Sequence, residues 1–192
     1  MYKFRWKKDP IPRERLFMAN FINHSASVDW KPVAEVMPKW GYSTMGLDPE
    51  TTVRASGREF RASPKSAREV CSAIKGMRLD DAKDFLQQVT EKRKAVPLRR
   101  HKKKVPHRHG LEKFYAGRYP VGAAQKVLEV LENAEANALY KGLDVENLRV
   151  VHVSAYPGMK IKRYIPRAFG RTTPRFETLC HIEIVLEQRG AT

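Results

Sequence analysis

The sequence contains only two cysteines, Cys71 and Cys180, among its 192 residues. Each lies in a stretch of regularly spaced apolar residues, where a thiol behaves as a small buried hydrophobic group. Small secreted domains, by contrast, are held together by several disulfides. The sequence therefore predicts two free, buried thiols in a reducing compartment and a fold stabilised by an apolar core.

Long apolar runs are missing as well. No run of about 18 apolar residues is present, so no membrane-spanning helix is predicted. Asp9 and Glu14 interrupt the first residues and no apolar segment follows them, which argues against a signal peptide. No segment combines a basic helix face with a bulky apolar face, as an interfacial helix would need. We expect a cytoplasmic protein without a membrane span.

The motifs of common catalytic and nucleotide-binding sites are absent too. The patterns GxxxxGK, GxGxxG, GxSxG and HExxH do not occur. The acidic residues that could serve as general acids or bases are expected mostly on the solvent-exposed faces of helices and strands. We therefore expect a protein that is not an enzyme and that needs no cofactor.

Three histidines, His101, His107 and His109, lie close together in sequence and raise the question of a metal site. Zinc ligands usually come as compact pairs from separate elements, and here no cysteine joins them while the surrounding positive charge repels a cation. A nuclease with a histidine base is the enzymatic alternative, but a nearby carboxylate to orient that base is lacking. The histidines are predicted to be exposed or to bind phosphate, and no metal is expected.

Acidic residues are scarce in two long segments of a chain whose net charge is +16. Glu112 is the only acid within residues 92–118, and none lies between Glu146 and Glu177. The first segment holds 11 and the second 7 of the 37 Lys and Arg residues. Charge of this size and clustering indicates an anionic partner, and the missing membrane signals favour nucleic acid.

Apolar periodicity predicts three helices in the middle of the chain. Ser63 should supply an N-cap oxygen, Pro64 suits the first helical position, and Gly76 fits the left-handed position after the helix ends. Apolar residues at spacings of three and four predict a second helix over residues 79–92 and a third over residues 120–140. Prolines and a glycine interrupt the segment between them, so it is predicted to be a long basic loop.

Residues 148–187 predict a long β-hairpin, preceded in the chain by a strand over residues 51–62. The residues expected to share one face are Leu148, Val150, His152 and Ser154 in the first arm and Cys180, Ile182, Ile184 and Leu186 in the second. The chain should reverse near Ala168 and Phe169, which gives arms of about 16 residues, or roughly 50 Å.

The outer half of this hairpin has two further expected properties. Pro166 and Pro174 lack N–H donors, so sheet pairing is expected to end before the tip. The outer half is basic throughout, and unpaired charges are too costly to bury in the protein's own core. It should therefore be buried in an anionic partner.

Residues 1–41 differ from the rest, since they contain all three tryptophans of the chain. Such aromatic content argues against a freely disordered tail. Basic and aromatic residues alternate at its start, a pattern typical of segments that stack on single-stranded nucleic acid, although an arm packed on its own domain fits equally well. We expect an extended N-terminal arm over residues 1–41 and one folded domain over residues 42–192.

Five collinear motifs lie between residues 42 and 189. They are RASGR at 54–58, PLRR at 97–100, GRYPV at 117–121, ENAEANA at 132–138 and PRAFGR at 166–171. Together they resemble the universal large-subunit ribosomal protein number twenty-two family, in its archaeal and eukaryotic form. The short C-terminus favours the archaeal form, and residues 1–41 have no counterpart in the resemblance.

The resemblance implies an α+β fold in which three helices pack on a small antiparallel sheet with a projecting hairpin. It implies a structural rRNA-binding protein of the large ribosomal subunit, whose globular domain lies near the exit of the nascent-peptide tunnel. The implied partners are large-subunit rRNA, neighbouring large-subunit ribosomal proteins and the nascent polypeptide.

The resemblance also implies two sets of site residues. The residues implied to bind rRNA are Arg99, Arg100, Lys102, Lys103, Lys104, Arg108, Arg118 and Tyr119 in the basic loop, and Lys160, Lys162, Arg163 and Arg175 in the hairpin shaft. The residues implied to line the tunnel are Pro166, Arg167, Ala168, Phe169, Gly170, Arg171 and Thr172.

A basic DNA-packing protein is the rival from the binding class, because charge alone does not distinguish RNA from DNA. Such a protein needs a base-reading helix or ribbon, or a symmetric dimer surface. No predicted helix concentrates Arg and Lys with Asn or Gln on one face.

Overall fold

The structure is a computed structural model that describes residues 41–111 and 114–189. Residues 1–40 lie outside the described residues, so the extended arm and the domain boundary at residue 41 stay predictions. The described residues from Tyr42 onward belong to one unit.

Seven strands and three α-helices follow one another in the described residues. In chain order they are β1 (Thr52–Phe60), α1 (Pro64–Ile74), α2 (Leu79–Thr90), β2 (Val96–Pro97), β3 (Gly117–Arg118), α3 (Val121–Lys141), β4 (Leu148–Ile161), β5 (Tyr164–Pro166), β6 (Thr172–Pro174) and β7 (Glu177–Gln188). A short 3-10 helix at Val145–Asn147 leads from α3 into β4.

One antiparallel sheet of order β1-β7-β4 carries the helices, which confirms the predicted α+β fold. The core-facing residues of the central strand β7 are Cys180, Ile182, Ile184 and Leu186, as predicted. They pack against the apolar faces of the helices, where Val70, Leu86 and Leu131 are fully buried. None of the described helices combines the length and the apolar character needed to cross a bilayer.

The helix ends follow the sequence signals, with one exception. Pro64 occupies the start of α1, and Gly76 and Gly142 adopt positive φ values of 87° and 74° just beyond α1 and α3. The predicted capping bond of Ser63 is wrong, because its side chain makes no cap hydrogen bond. Only its backbone carbonyl takes part, accepting the Ala67 N–H at 2.9 Å. The exposed hydroxyl lines a cleft instead.

The first hairpin strand, β4, contains an irregularity that the alternation of apolar residues did not reveal. Its register against β7 shifts between Val150 and His152. Side chains alternate between the faces of a strand, so one extra residue moves those that follow to the opposite face. Val153 is therefore buried and Ala155 packs on the core, and the prediction that His152 and Ser154 share the face of Val150 is wrong.

Both cysteines are free and buried, as predicted. Burial disfavours the charged thiolate, which raises the pKa of Cys71 to about 12 and that of Cys180 to about 11. At neutral pH both groups are neutral thiols that fill space in the core.

Within residues 41–111 and 114–189, two carboxylates are also buried, against the general expectation that acids face solvent. Glu183 of β7 accepts hydrogen bonds from the Ser43 N–H at 2.7 Å and the Ser43 hydroxyl at 3.1 Å. The other is Glu69 of α1, which contacts the basic loop. Buried carboxylates need such donors because an unpaired charge is costly away from water.

Strand pairing in the hairpin reaches the first and last residues of the tip, so the prediction that pairing ends before the tip is wrong. β5 and β6 pair up to Pro166, opposite Thr172. The Arg175 N–H donates to the Arg163 carbonyl at 2.6 Å, which makes theirs a hydrogen-bonded pair. Such pairs alternate with pairs that exchange no hydrogen bonds. Pro174 and Pro166 belong to the pairs one and three residues beyond this one, and both of these pairs exchange no hydrogen bonds. Neither proline therefore removes a hydrogen bond between the strands.

Candidate nucleic-acid interface

The basic loop between α2 and α3 is closed at its base by a small ladder. β2 pairs with β3, so that Val96 lies opposite Arg118. Beyond this pair the Leu98 N–H donates to the Ala116 carbonyl at 3.0 Å, and both residues are buried. The loop is therefore attached to the core at both ends, and its cations extend from a fixed base.

Glu69 fixes the first two arginines of this loop. Its carboxylate oxygens accept the backbone N–H groups of Arg99 and Arg100, each at 3.0 Å. The carboxylate is buried on α1, whereas both arginines are exposed. One buried acid thus orients the backbone of two neighbouring residues whose guanidinium groups are free to meet phosphate in bidentate fashion.

Further cations of the loop make contacts within the loop itself. The Arg118 guanidinium donates to the Lys104 carbonyl at 3.1 Å, and Lys104 adopts a positive φ of 56°. The Arg108 guanidinium lies 5.3 Å from the centre of the Tyr119 ring, within the range of a cation–π contact. Lys102 and its neighbours to Lys104 are exposed. The predicted cations of the loop are therefore all exposed, whereas Tyr119 is half-buried.

The three histidines of the loop have different surroundings. The His107 ring packs edge-on against Tyr115 with centroids 4.8 Å apart. The backbone of His107 forms an isolated antiparallel β-bridge with Ala116. His101 is half-buried beside the cleft that reaches Lys160. In the part of the chain that the structure describes, no three His, Cys, Asp or Glu side chains could hold a metal ion together.

Replacing His101, His107 and His109 together with Asn should leave the thermal unfolding midpoint within a few degrees of the parent. No metal is expected to bind them, and one edge-on ring contact contributes only about 1 kcal/mol. Differential scanning calorimetry with and without a chelator checks this. A chelator that lowers the midpoint of the parent but not that of the variant would reveal a metal site.

The shaft of the hairpin presents cations with few partners. Lys160, Lys162, Arg163 and Arg175 are all exposed. The Arg163 guanidinium lies 3.5 Å from the Glu177 carboxylate, and both side chains are about half exposed, so solvent screens this pair. Every residue from 162 to 176 is exposed, which confirms that the outer half is not buried in the protein's own core.

The tip of the hairpin is a defined turn. The Arg167 N–H donates to the Arg171 carbonyl at 2.8 Å, and Phe169 and Gly170 both have positive φ values, of 59° and 66°. The reversal therefore falls where it was predicted. Phe169 is 91% exposed, with the Arg171 guanidinium 6.0 Å from its ring centre.

The basic loop and the hairpin shaft meet at a cleft of about 840 Å³. His101 lines it from the loop and Lys160 from the hairpin. The N-terminal end of α1 and the residues just before it add cations that sequence reasoning missed. They are Arg61, Lys65 and Arg68. The available signal was a first helical turn without an acid, which is unusual at the positive end of a helix dipole.

These features define a class of protein: a small α+β domain with a basic loop and a long basic hairpin, built for contact with an extended anionic partner. Comparison with known families agrees with that class. The model of the family "Ribosomal protein L22p/L17e" matches residues 55–187. The chain belongs to this family of ribosomal proteins, and it is therefore not an enzyme.

Curated relatives resemble the chain over most of its length. The large ribosomal subunit protein uL22 of Archaeoglobus fulgidus is 52% identical over 153 residues, which cover 80% of this chain and 99% of the relative. Its counterpart from Methanopyrus kandleri is 54% identical over 159 residues, covering 80% and 100%. That from Methanocaldococcus jannaschii is 52% identical over 142 residues, covering 74% and 91%. All three are archaeal proteins.

Proposed function

We propose that this chain is a structural rRNA-binding protein of the cytoplasmic large ribosomal subunit, in contact with rRNA and neighbouring ribosomal proteins. The family and the names of its relatives support the assembly. One observation carries the RNA-binding part: residues 162–176 are exposed throughout, contain five Lys and Arg residues and extend a sheet that needs none of them for its core. An anionic partner of irregular shape would cover such a segment.

Within this function, the basic loop and the hairpin shaft contact the RNA backbone. Arg99 and Arg100 have a fixed backbone and free guanidinium groups, which suits them to phosphate. The major groove of an RNA helix is too deep and narrow for side chains to read, so recognition relies on shape, phosphates and 2′-hydroxyls. This requirement fits a ribbon with cations along its length better than it fits a base-reading helix.

Purified full-length protein should co-sediment with large ribosomal subunits in moderate salt and not with an equal mass of duplex DNA. The logarithm of its affinity for large-subunit rRNA should fall with the logarithm of salt concentration by about 0.7 for each phosphate contact. Filter binding over a salt series measures this slope. Equal retention by DNA would favour the DNA-packing alternative, and affinity that salt leaves unchanged would contradict backbone recognition.

The tip, residues 166–172, is proposed to line the nascent-peptide tunnel. Phe169 is 91% exposed, so a photoreactive phenylalanine analogue at this position should crosslink to nascent polypeptide in stalled ribosomes. The same analogue at Tyr140 is the matched control, since that side chain is 94% exposed but lies at the end of α3. Gel analysis of labelled nascent chains checks the difference. Equal crosslinking from both positions would contradict the assignment.

A further inference from the structure

The cleft between α1 and the hairpin has the chemistry of a binding site for one nucleotide. Its apolar lining includes Pro64, Pro157 and the ring of Phe176, which is 51% exposed. Its volume of about 840 Å³ lies within the usual range of small-molecule sites. A flat aromatic ring beside apolar surface is the kind of platform on which an unstacked base lies.

The charges around this cleft call for an anion. Arg61, Lys65, Arg68 and Lys160 are exposed along it, and in the described residues none of the four forms an ion pair. Glu177 is the single acid of the lining, and its carboxylate already lies 3.5 Å from the Arg163 guanidinium. The balance around the cleft is therefore strongly positive.

The start of α1 adds donors to these charges. The first N–H groups of a helix have no acceptor within the helix, and Pro64 has no N–H at all. The N–H groups of Lys65 and Ser66 remain, since the Ser63 side chain makes no cap hydrogen bond. Lys65 also lies in the turn where the helix dipole repels a cation. A phosphate here would accept from both amides and remove the unfavourable charge arrangement.

We propose that this cleft binds one unstacked nucleotide of the RNA, with its phosphate at the start of α1 and its base against Phe176. The inference rests on the proposed function, because it names a subsite of the same RNA surface. It adds α1 to the basic loop and the hairpin, and the nucleotide would bridge the elements that meet at the cleft.

The test is an NMR titration of the isotope-labelled full chain with four probes: adenosine monophosphate, adenosine, inorganic phosphate and a short polyglutamate peptide. The amide signals of Lys65 and Ser66 should shift with adenosine monophosphate and more weakly with phosphate. The ring signals of Phe176 should shift with the nucleotide and not with phosphate. Adenosine alone should bind about tenfold more weakly than its monophosphate, because it cannot form the charge-assisted hydrogen bonds.

Three variants separate the contributions. Arg68→Ala should weaken binding of both phosphate-containing probes by about fivefold, and Phe176→Leu should weaken only the nucleotide. Lys75→Ala is the matched control, since it removes an exposed cation at the C-terminal end of α1. It should change neither the affinity for phosphate nor that for the nucleotide. An unchanged nucleotide affinity in Phe176→Leu, or phosphate shifts equal to those of the nucleotide, would overturn the proposal.

Two further outcomes also overturn it. Unmoved Lys65 and Ser66 signals at saturating nucleotide would mean that the cleft does not bind one. Polyglutamate shifts as large as those of the nucleotide would make the cleft a protein-docking site. Each preparation is also assayed for co-sedimentation with large subunits, so that failure of this site alone is distinguished from failure of the proposed function.

Discussion

A chain in which Asn-Gly replaces residues 162–176 should bind large-subunit rRNA about a hundredfold more weakly than the parent, while its domain stays folded. All side chains that the change removes are exposed, and five of them are cations. The five are Lys162, Arg163, Arg167, Arg171 and Arg175. Surface changes of this kind move the free energy of unfolding by no more than about 1 kcal/mol. The salt slope of binding should also become shallower, by about 0.7 for each phosphate that the shortened chain no longer neutralises.

The ladder determines where the cut must fall. Ile161 lies opposite Glu177, two residues from the hydrogen-bonded pair of Arg163 and Arg175, so it belongs to a hydrogen-bonded pair as well. Asn-Gly between two such residues favours the tight turn that matches the strand twist. The shortened hairpin therefore keeps the register of β4 and β7.

A full-length control separates charge from length. Gln at Arg163, Arg167, Arg171 and Arg175 keeps the hairpin and removes four charges, and it should reproduce most of the decrease in RNA affinity. Urea unfolding and filter binding are measured on both variants. If the truncated chain unfolds on its own, the outer hairpin is part of the core, and the separation of binding from stability is wrong.

Glu69→Ala should be the most destabilising single change at the candidate interface. It removes the acceptor of two backbone N–H groups, and a hydrogen bond to a charged group contributes about 1.5 kcal/mol. The free energy of unfolding should therefore fall by about 3 kcal/mol. Hydrogen exchange at Arg99 and Arg100 should accelerate before the domain unfolds, because the loop is released at this point first.

Two variants control this result. Glu69→Gln keeps one acceptor but turns an amide donor toward the second N–H group, so it should lose about half as much stability. Glu132→Ala removes an exposed carboxylate from α3 and should change stability by no more than about 0.5 kcal/mol. Urea midpoints that coincide for Glu69→Ala and Glu132→Ala would show that the buried carboxylate does not hold the loop.

The elements that could be predicted from sequence were those with local signals. Pro64, Gly76 and Gly142 mark helix ends through their own backbone preferences, so their positions agree with the structure. The register shift before His152 has no such signal, because neighbouring valines fit either face of a strand. The end of strand pairing was predicted wrongly for a similar reason. A proline removes a hydrogen bond of the ladder only if it lies in a hydrogen-bonded pair, and the sequence does not show which pairs those are.

The residues of the candidate interface likewise include some with a local sequence signal and some without one. The basic loop and the hairpin could be predicted because a local shortage of acidic residues is visible in the sequence itself. The cations of α1 were missed because Lys65 and Arg68 share a short helix with Glu69, which hides them in local composition. Only the approach of the loop to α1 buries that acid and leaves the cations at the cleft.

The placement of the two prolines in the outer hairpin has a consequence for the protein before it meets RNA. In pairs that exchange no hydrogen bonds, the backbone N–H groups point outward, where a strand from another molecule would add. Pro166 and Pro174 occupy such pairs and offer no N–H there. Each edge of this two-stranded ribbon therefore lacks one donor that an added strand would use, which disfavours edge-to-edge aggregation of newly made chains. Pro166 and Pro174 therefore leave the pairing within the hairpin intact and also help to keep the hairpin unassociated until it binds RNA.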